Sequence, residues 1–161
     1  MIKKIILSVF LFLFLTNCGF TPLYSNKEIN DINIEVLNYE GDRDINLNLV
    51  SKLKAKSNPD GKLYKVKIVT NYEKITLANN LAGIPEEYQL QSNVTFTVIE
   101  NNSEKKFSVY EKFVMKNLSD DFEERNYETS IKKNMTNLIY NKFLLQIKKL
   151  KWFINILKPI R

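Results

Sequence analysis

The chain has few residues that can perform covalent chemistry. Its 161 residues include no His and a single Cys, Cys18. Without His the chain lacks the usual general base and transition-metal ligand, and no Ser-His-Asp or Cys-His site can form. Paired acids occur in Asp120–Glu124 and at Glu86-Glu87, but neither is accompanied by a nucleophile or a set of metal ligands. We therefore expect a protein that is not an enzyme and binds no metal.

Cys18 has the clearest chemistry because of the residues that precede it. Lys3 and Lys4 are followed by Ile5–Leu15, eleven residues of which only Ser8 is polar. A membrane span needs roughly 20 apolar residues, so this run has the length of a signal-peptide core, with a buried core helix as the alternative. Leu15-Thr16-Asn17-Cys18 then resembles a bacterial lipobox, with Asn17 where Gly, Ala or Ser is usual.

The lipobox resemblance implies that Cys18 is a lipidation site. Its thiol would carry a diacylglycerol and its freed amine a further acyl chain such as palmitate, with no other cofactor. One chain anchors a protein only marginally, whereas two or three hold it on a bilayer. Gly19 stands where an Asp commonly signals retention in the inner membrane, which is compatible with the outer membrane. The alternative is a lone buried thiol.

The remainder of the chain has room for one folded domain. Cleavage before Cys18 removes 17 residues from 161 and leaves 144, and the loss of Lys3 and Lys4 lowers the formal charge from +6 to +4. We predict a signal peptide at 1–17, a lipidated tether at 18–30 and a single α+β domain at 31–161 that ends in a basic, aromatic tail. The modest charge and the lack of a binding motif disfavour nucleic acid as a partner.

Alternation of polar and apolar residues predicts four strands. They are Ile32–Val36, Leu63–Leu77, Tyr88–Glu100 and Lys106–Lys116. A change of parity near Ile75 and Leu77 indicates a bulge or a second segment, and Asn101-Asn102-Ser103 predicts a hairpin turn. Such alternation is typical of an antiparallel sheet with one face covered and one face solvated.

Three- and four-residue periodicity predicts two helices. Asp42 or Asp44 caps the first, which runs to about Ala55 with Ile45, Leu49 and Leu53 on one face. Asp120 and Glu123 form a capping-box-like start of the second. Its apolar residues are Tyr127, Ile131, Met135, Leu138 and Ile139, and Lys142, Lys148 and Lys149 lie near its predicted end, where they would complement the helix dipole. The predicted fold class is α+β: a four-stranded, mainly antiparallel sheet with two helices packed on one face.

The tail Leu150–Arg161 alternates aromatic and apolar residues with lysines. One interpretation is that it lies on a bilayer surface or lines a partner. The other is that it forms the last turns of the second helix and closes the core.

The segment Cys18-Gly19-Phe20-Thr21-Pro22-Leu23-Tyr24 resembles the opening of the LPS-assembly lipoprotein (LptE) family. Tyr88-Gln89-Leu90 at the start of a central strand and the helix Asn126–Gln146 are also similar to that family. The resemblance implies a lipoprotein, lipid-anchored at the periplasmic face of the outer membrane, that plugs the lumen of a large outer-membrane β-barrel and helps it assemble. Together the pair would deliver lipopolysaccharide to the outer leaflet.

The resemblance also directs attention to particular residues. A barrel lumen is polar, and the Gln, Asn and Thr face of Tyr88–Glu100 suits a plug. Candidate contacts for lipopolysaccharide phosphates are Lys65, Lys67, Lys105, Lys106 and Lys112, for which solubility and protection of strand edges is the alternative role. Leu81–Glu87 either reaches the barrel wall or is a packed loop. The competing function is that of an accessory structural lipoprotein in another outer-membrane assembly or secretion complex.

Overall fold

A computed structural model describes residues 32–100 and 103–156, with side-chain environments as far as Leu150. The predictions for the signal peptide, Cys18, the tether, the turn residues 101–102 and the last five residues lie outside this part of the chain. The elements, in chain order, are β1 (Ile32–Gly41), α1 (Arg43–Lys56), β2 (Lys62–Asn79), β3 (Pro85–Glu100), β4 (Ser103–Lys116) and α2 (Asp121–Ile156).

The four strands form one sheet in the order β1-β2-β3-β4. The pairs β2-β3 and β3-β4 are antiparallel, and Glu100 lies opposite Ser103, as the predicted hairpin requires. β1 instead runs parallel to β2, because α1 carries the chain back along the sheet between them. The sheet is therefore mixed and mostly antiparallel, which confirms the α+β prediction and adds a parallel edge.

Both helices cover the same face of the sheet, where the core lies. Ile45, Leu49 and Leu53 of α1 are fully buried, as predicted. Phe143 of α2 stacks on Phe96 of β3 with ring centroids 4.1 Å apart. The strands contribute every second side chain to this core, and the opposite face of the sheet carries no element of the described chain.

The turn between β1 and α1 is locked to β2. Asp42 caps α1, its Oδ1 accepting a hydrogen bond of 2.9 Å from the Ile45 N–H. Asn46 is buried and donates to the Glu40 carbonyl at 3.0 Å, while the Thr70 hydroxyl donates to Asn46 Oδ1 at 2.7 Å. This junction fixes the start of α1 beside the middle of β2.

The second helix begins as predicted and ends later. Asp120 Oδ1 accepts the Glu123 N–H at 2.9 Å, while Glu124, and not Glu123, reaches back to the Leu118 N–H. Because α2 continues to Ile156, Lys142 lies in its middle and pairs with Glu111 of β4 at 2.5 Å. The idea that lysines complement the dipole at this helix end was wrong, since the dipole acts within the last turn.

The buried stripe of α2 follows steps of four residues: Ile131, Met135, Ile139, Phe143 and Ile147. Each such step passes a full turn by about 40°, so the stripe winds around the helix. Leu138, predicted on the apolar face, lies off this stripe and is exposed. Tyr127, also predicted on that face, lies one step before Ile131 and is exposed because the buried stripe begins only at Ile131. Leu150 is buried within α2, so the tail extends the second helix through Ile156, as one of the two interpretations proposed.

Candidate functional site

The uncovered side of the sheet, here called the open face, holds most of the predicted binding residues. The register places Lys67 opposite Thr97, and Thr97 opposite Lys106. Lys67 and Lys106 are thus separated by one strand, about 10 Å across the sheet, and Lys65 lies about 7 Å along β2 from Lys67. We call these three exposed lysines the basic end.

The basic end keeps its charge free. Within residues 32–100 and 103–156, none of Lys65, Lys67 and Lys106 forms an ion pair. Lys62 nearby does pair with Glu100. The strand on the other side of β2 places Glu35 beside Lys65 in register. The three lysines can therefore contact an anionic ligand without first breaking a contact inside the described chain.

The other two candidate lysines are not part of this cluster. Lys105 lies opposite Val98, a core position, so its side chain leaves β4 on the helix-covered side. Neighbouring residues of a strand alternate between faces, which separates Lys105 from Lys106. Lys112 is on the open face opposite Gln91, about 20 Å along β3 from Thr97.

The middle of the open face is a network of hydrogen-bonded polar side chains. Gln91 donates to Glu73 at 2.7 Å and accepts from the Tyr110 hydroxyl at 2.9 Å and from Gln89 at 3.0 Å. Thr95 and Ser108 share a bond of 3.0 Å across β3 and β4. These contacts hold the amides in fixed orientations on a surface that no element of the described chain covers.

Beneath the first turns of α2 lies a set of charges that sequence reasoning missed. This ionic ladder consists of Asp42, Lys132, Tyr72, Glu128, Lys74 and Glu124. Lys132 pairs with Asp42 at 2.8 Å and lies over the Tyr72 ring, with its Nζ 4.2 Å from the centroid. Tyr72 donates to Glu128 at 2.8 Å, and Lys74 pairs with Glu124 at 2.7 Å and Glu128 at 3.1 Å.

The ladder clamps the first turns of α2 to β2 and to the start of α1. Burial, reinforced by the bond to Glu128, raises the pKa of Tyr72, so its phenol stays protonated. The hydrogen bond from Lys74 lowers the pKa of Glu124. The sequence contained one signal for it: Lys74 occupies a helix-facing position of β2, where an apolar residue is expected.

The helix-facing position of Lys74 explains part of the change in polar-apolar alternation near Ile75. The register of β2 against β3 is regular through Thr76 and shifts between Thr76 and Asn79, which confirms the predicted bulge at Leu77. Ile75 lies before the shift, on the open face, because its neighbour Lys74 points toward the acids of α2. A polar contact between distant elements thus inverted the local pattern.

The hairpin tip, Asn80–Ile84, joins β2 and β3 and is not packed. Leu81 is fully exposed and Ile84 is 55% exposed. Asn80 Oδ1 accepts the N–H groups of Ala82 and Ile84 at 2.9 and 3.0 Å. The packed-loop interpretation of Leu81–Glu87 was therefore wrong, since residues 81–84 are exposed and residues 85–87 belong to β3.

Among the described helices, none has the length and apolar composition to cross a membrane. The described residues also contain no group of three or more His, Cys, Asp or Glu placed to hold a metal ion.

No family model and no curated protein matches the sequence. Solved structures with a similar fold include rare lipoprotein B from Shewanella oneidensis, with a TM-score of 0.60 at 12% identity over 77% of this chain and 98% of that chain. A Caulobacter crescentus CB15 protein described as a lipoprotein gives a TM-score of 0.54 at 14% identity, over 83% of this chain and 97% of that chain. At these identities the comparison establishes the fold that the chains share.

Proposed function

We propose that this protein is an outer-membrane lipoprotein, anchored by acyl chains on Cys18, with its domain on the periplasmic side. Two observations support the proposal. The segment Leu15–Cys18 resembles a lipobox, and the folded body has the fold of rare lipoprotein B. The similarity of fold is a separate observation from the lipobox resemblance, because it compares backbone paths and the two sequences are only 12% identical.

Within that class, we propose that the domain is a plug in the lumen of a large β-barrel that exports lipopolysaccharide, and that it helps the barrel assemble. The observation that carries this proposal is the open face, whose centre is a fixed network of Gln, Glu, Tyr and Thr side chains. A barrel lumen is lined by polar groups, so a surface with oriented donors and acceptors suits it. The resemblance of Cys18–Tyr24 to the LPS-assembly lipoproteins supplies the substrate class.

The basic end would contact the phosphates of lipopolysaccharide. Lysines spaced about 7 and 10 Å apart can meet separate phosphate groups of one polyanion, each as a compact charge. Lys112 would act as a separate contact farther along the open face, and Lys105 would approach only from the helix-covered side. The three clustered lysines therefore form the main proposed site.

Purification of the tagged protein from detergent-solubilised envelope tests the anchor and the partner together. We expect mass spectrometry to find acyl chains on Cys18 and a large β-barrel protein at equal stoichiometry. Cys18→Ser is the control and should leave the protein unacylated. An unmodified Cys18 would refute the anchor, and recovery with an unrelated assembly or secretion complex would favour the accessory role over the translocon.

A charge-matched pair of variants tests the lysine site. We expect Lys65→Gln/Lys67→Gln/Lys106→Gln to weaken binding to lipopolysaccharide about tenfold or more, since each lost charged contact contributes about 1 kcal/mol or more. Lys54→Gln/Lys133→Gln/Lys149→Gln removes the same charge from exposed positions on the helices and should change binding little. Equal losses in the two triple variants would show that net charge, and not this site, controls binding.

A further inference from the structure

One end of the molecule exposes apolar side chains that the fold does not use. This apolar end consists of Leu77, Leu81, Ile84 and Phe122. Leu81 is fully exposed, and the other three side chains are 49%, 55% and 66% exposed in that order. The loop before α2 brings Phe122 to the same end as the hairpin tip. In that loop Asn117 donates its backbone N–H to the Glu86 carbonyl at 2.8 Å and its side-chain amide to the Pro85 carbonyl at 2.6 Å.

The hairpin tip has a fixed shape that does not depend on its apolar residues. Asn80 donates its N–H to the Ile84 carbonyl at 2.8 Å, and the Gly83 N–H donates to the Asn80 carbonyl at 2.9 Å. The Asn80 side chain accepts two further backbone N–H groups, and Gly83 supplies the positive φ of 79° that the turn needs. Leu81 and Ile84 are thus presented outward on a pre-formed turn, which lowers the entropy cost of binding.

Acidic residues surround the apolar end. Glu86, Asp120, Asp121 and Glu123 are exposed there, while the nearby bases are Lys116 and Arg125. The anionic headgroups of a bilayer would repel this rim. A second copy of the chain would bring two acidic rims together, which opposes self-association through this end.

The apolar end also lies far from the point where the chain enters the domain. β1 begins at Ile32, which pairs with Lys62 at the start of β2, whereas the hairpin tip follows the last residue of β2. The 18 residues of β2 separate the two ends by about 60 Å. Thirteen residues lie between Cys18 and Ile32, and even a fully extended chain of that length reaches no farther than about 50 Å.

From the exposure, the fixed turn and the charge of the rim, we infer that the apolar end docks into an apolar pocket of a partner protein whose border carries Lys or Arg. Leu81 is the residue that enters the pocket, and the acids of the rim face the basic border. A central apolar anchor inside a charged rim is the usual composition of a protein interface. The surface is distinct from the open face and the basic end, so this inference does not require a lipopolysaccharide ligand.

Site-specific photo-crosslinking in cells that express the full chain tests the docking. We expect a photoreactive residue at position 81 or 84 to crosslink to one protein, and the same residue at the exposed helix position 54 to give no such product. The crosslinked partner peptide, identified by mass spectrometry, should lie beside Lys or Arg. Glu86→Lys/Glu123→Lys should lower the yield at position 81 about fivefold or more, and Lys or Arg changed to Glu in the partner should restore it.

Several outcomes would overturn the inference. These are products with lipid, products with a second copy of this chain, or a protein product whose yield is unaffected by the charge of the rim. Leu81→Asp should abolish the crosslink formed from position 84. It should leave the unfolding temperature within about 2 °C, because the Leu81 side chain is exposed. The acylation of Cys18, measured in the same cells, shows separately whether the proposed lipoprotein anchor holds.

Discussion

Gly41 lies at the junction of β1 and α1, where the backbone passes directly against β2. Its φ is 96°, and a Cβ placed on it would stand 1.7 Å from the Thr70 carbonyl oxygen. Any side chain there must displace a strand in the middle of the sheet. The position thus requires Gly both for its φ and for its space.

We expect Gly41→Ala to lower the free energy of unfolding by about 2–4 kcal/mol, as strain and a backbone clash combine. Gly83→Ala is the matched control, because Gly83 also has a positive φ, 79°, but open space around it. It should cost only the conformational strain, about 1–2 kcal/mol. Urea unfolding of the two purified variants makes the comparison, and equal losses would contradict the clash.

Thr70 and Asn46 form a buried polar pair in the same junction. We expect Thr70→Val to cost about 1–3 kcal/mol, because Asn46 Oδ1 loses its donor in a site closed to water. Thr95→Val, on the open face, removes an exposed bond to Ser108 and should cost about 0.5 kcal/mol or less. Thermal unfolding compares the two variants. A larger loss of stability for Thr95→Val than for Thr70→Val would contradict a stabilising role of the buried Thr70–Asn46 bond.

At the scale of elements, the first turns of α2 are held to the sheet by the ionic ladder and not by core side chains. The buried apolar stripe of α2 begins at Ile131, ten residues after the helix starts. We expect Lys74→Met to raise amide hydrogen exchange of residues 121–130 about tenfold, since the change leaves Glu124 and Glu128 without their cation. Exchange around Met135 should stay unchanged. Lys133→Met, at an exposed position of α2, is the control, and an equal effect there would contradict the clamp.

The ladder also makes stability depend on pH. The hydrogen bond from Lys74 lowers the pKa of Glu124 below its ordinary value of 4.5. A carboxylate with a lowered pKa in the folded state contributes stability that is present above pH 4.5 and is lost as the pH falls through the folded pKa. Lys74→Met should therefore flatten the loss of stability on acidification below pH 4.5, measured by urea unfolding. An unchanged slope would show that Glu124 is not the titrating group.

Strands and the first helix could be predicted from sequence because their signals are local. The alternation in β3 and the spacing of Ile45, Leu49 and Leu53 each follow from one element that buries one face. The ladder could not be predicted this way, because Lys74 meets Glu124 fifty residues later and Lys132 meets Asp42 ninety residues earlier. In the candidate site, the register of β2, β3 and β4 determines which lysines lie close together. That register cannot be predicted from the positions of the lysines in the sequence alone.

At the scale of the whole molecule, the clustered positive charge and the apolar surface lie at opposite ends of the sheet. The basic end lies near Ile32, where the chain enters the domain, and the twelve residues of β2 beyond Lys67 separate it by about 40 Å from the apolar end with its acidic rim. An anionic bilayer attracts the first and repels the second. A short tether and this charge distribution together favour one orientation of the proposed lipoprotein on a membrane.

Fluorescence quenching by headgroup-labelled lipids measures that orientation. Acylation occupies the thiol of Cys18, so Asp60→Cys and Leu81→Cys each give the proposed lipoprotein one free thiol for a fluorophore, at opposite ends of β2. In vesicles with anionic lipid we expect strong quenching at position 60 and little at position 81. High salt should reduce the difference, because it screens the lysines. Equal quenching at the two positions would mean that the molecule lies flat on the bilayer, and stronger quenching at position 81 would mean that the apolar end, in spite of its acidic rim, inserts into lipid.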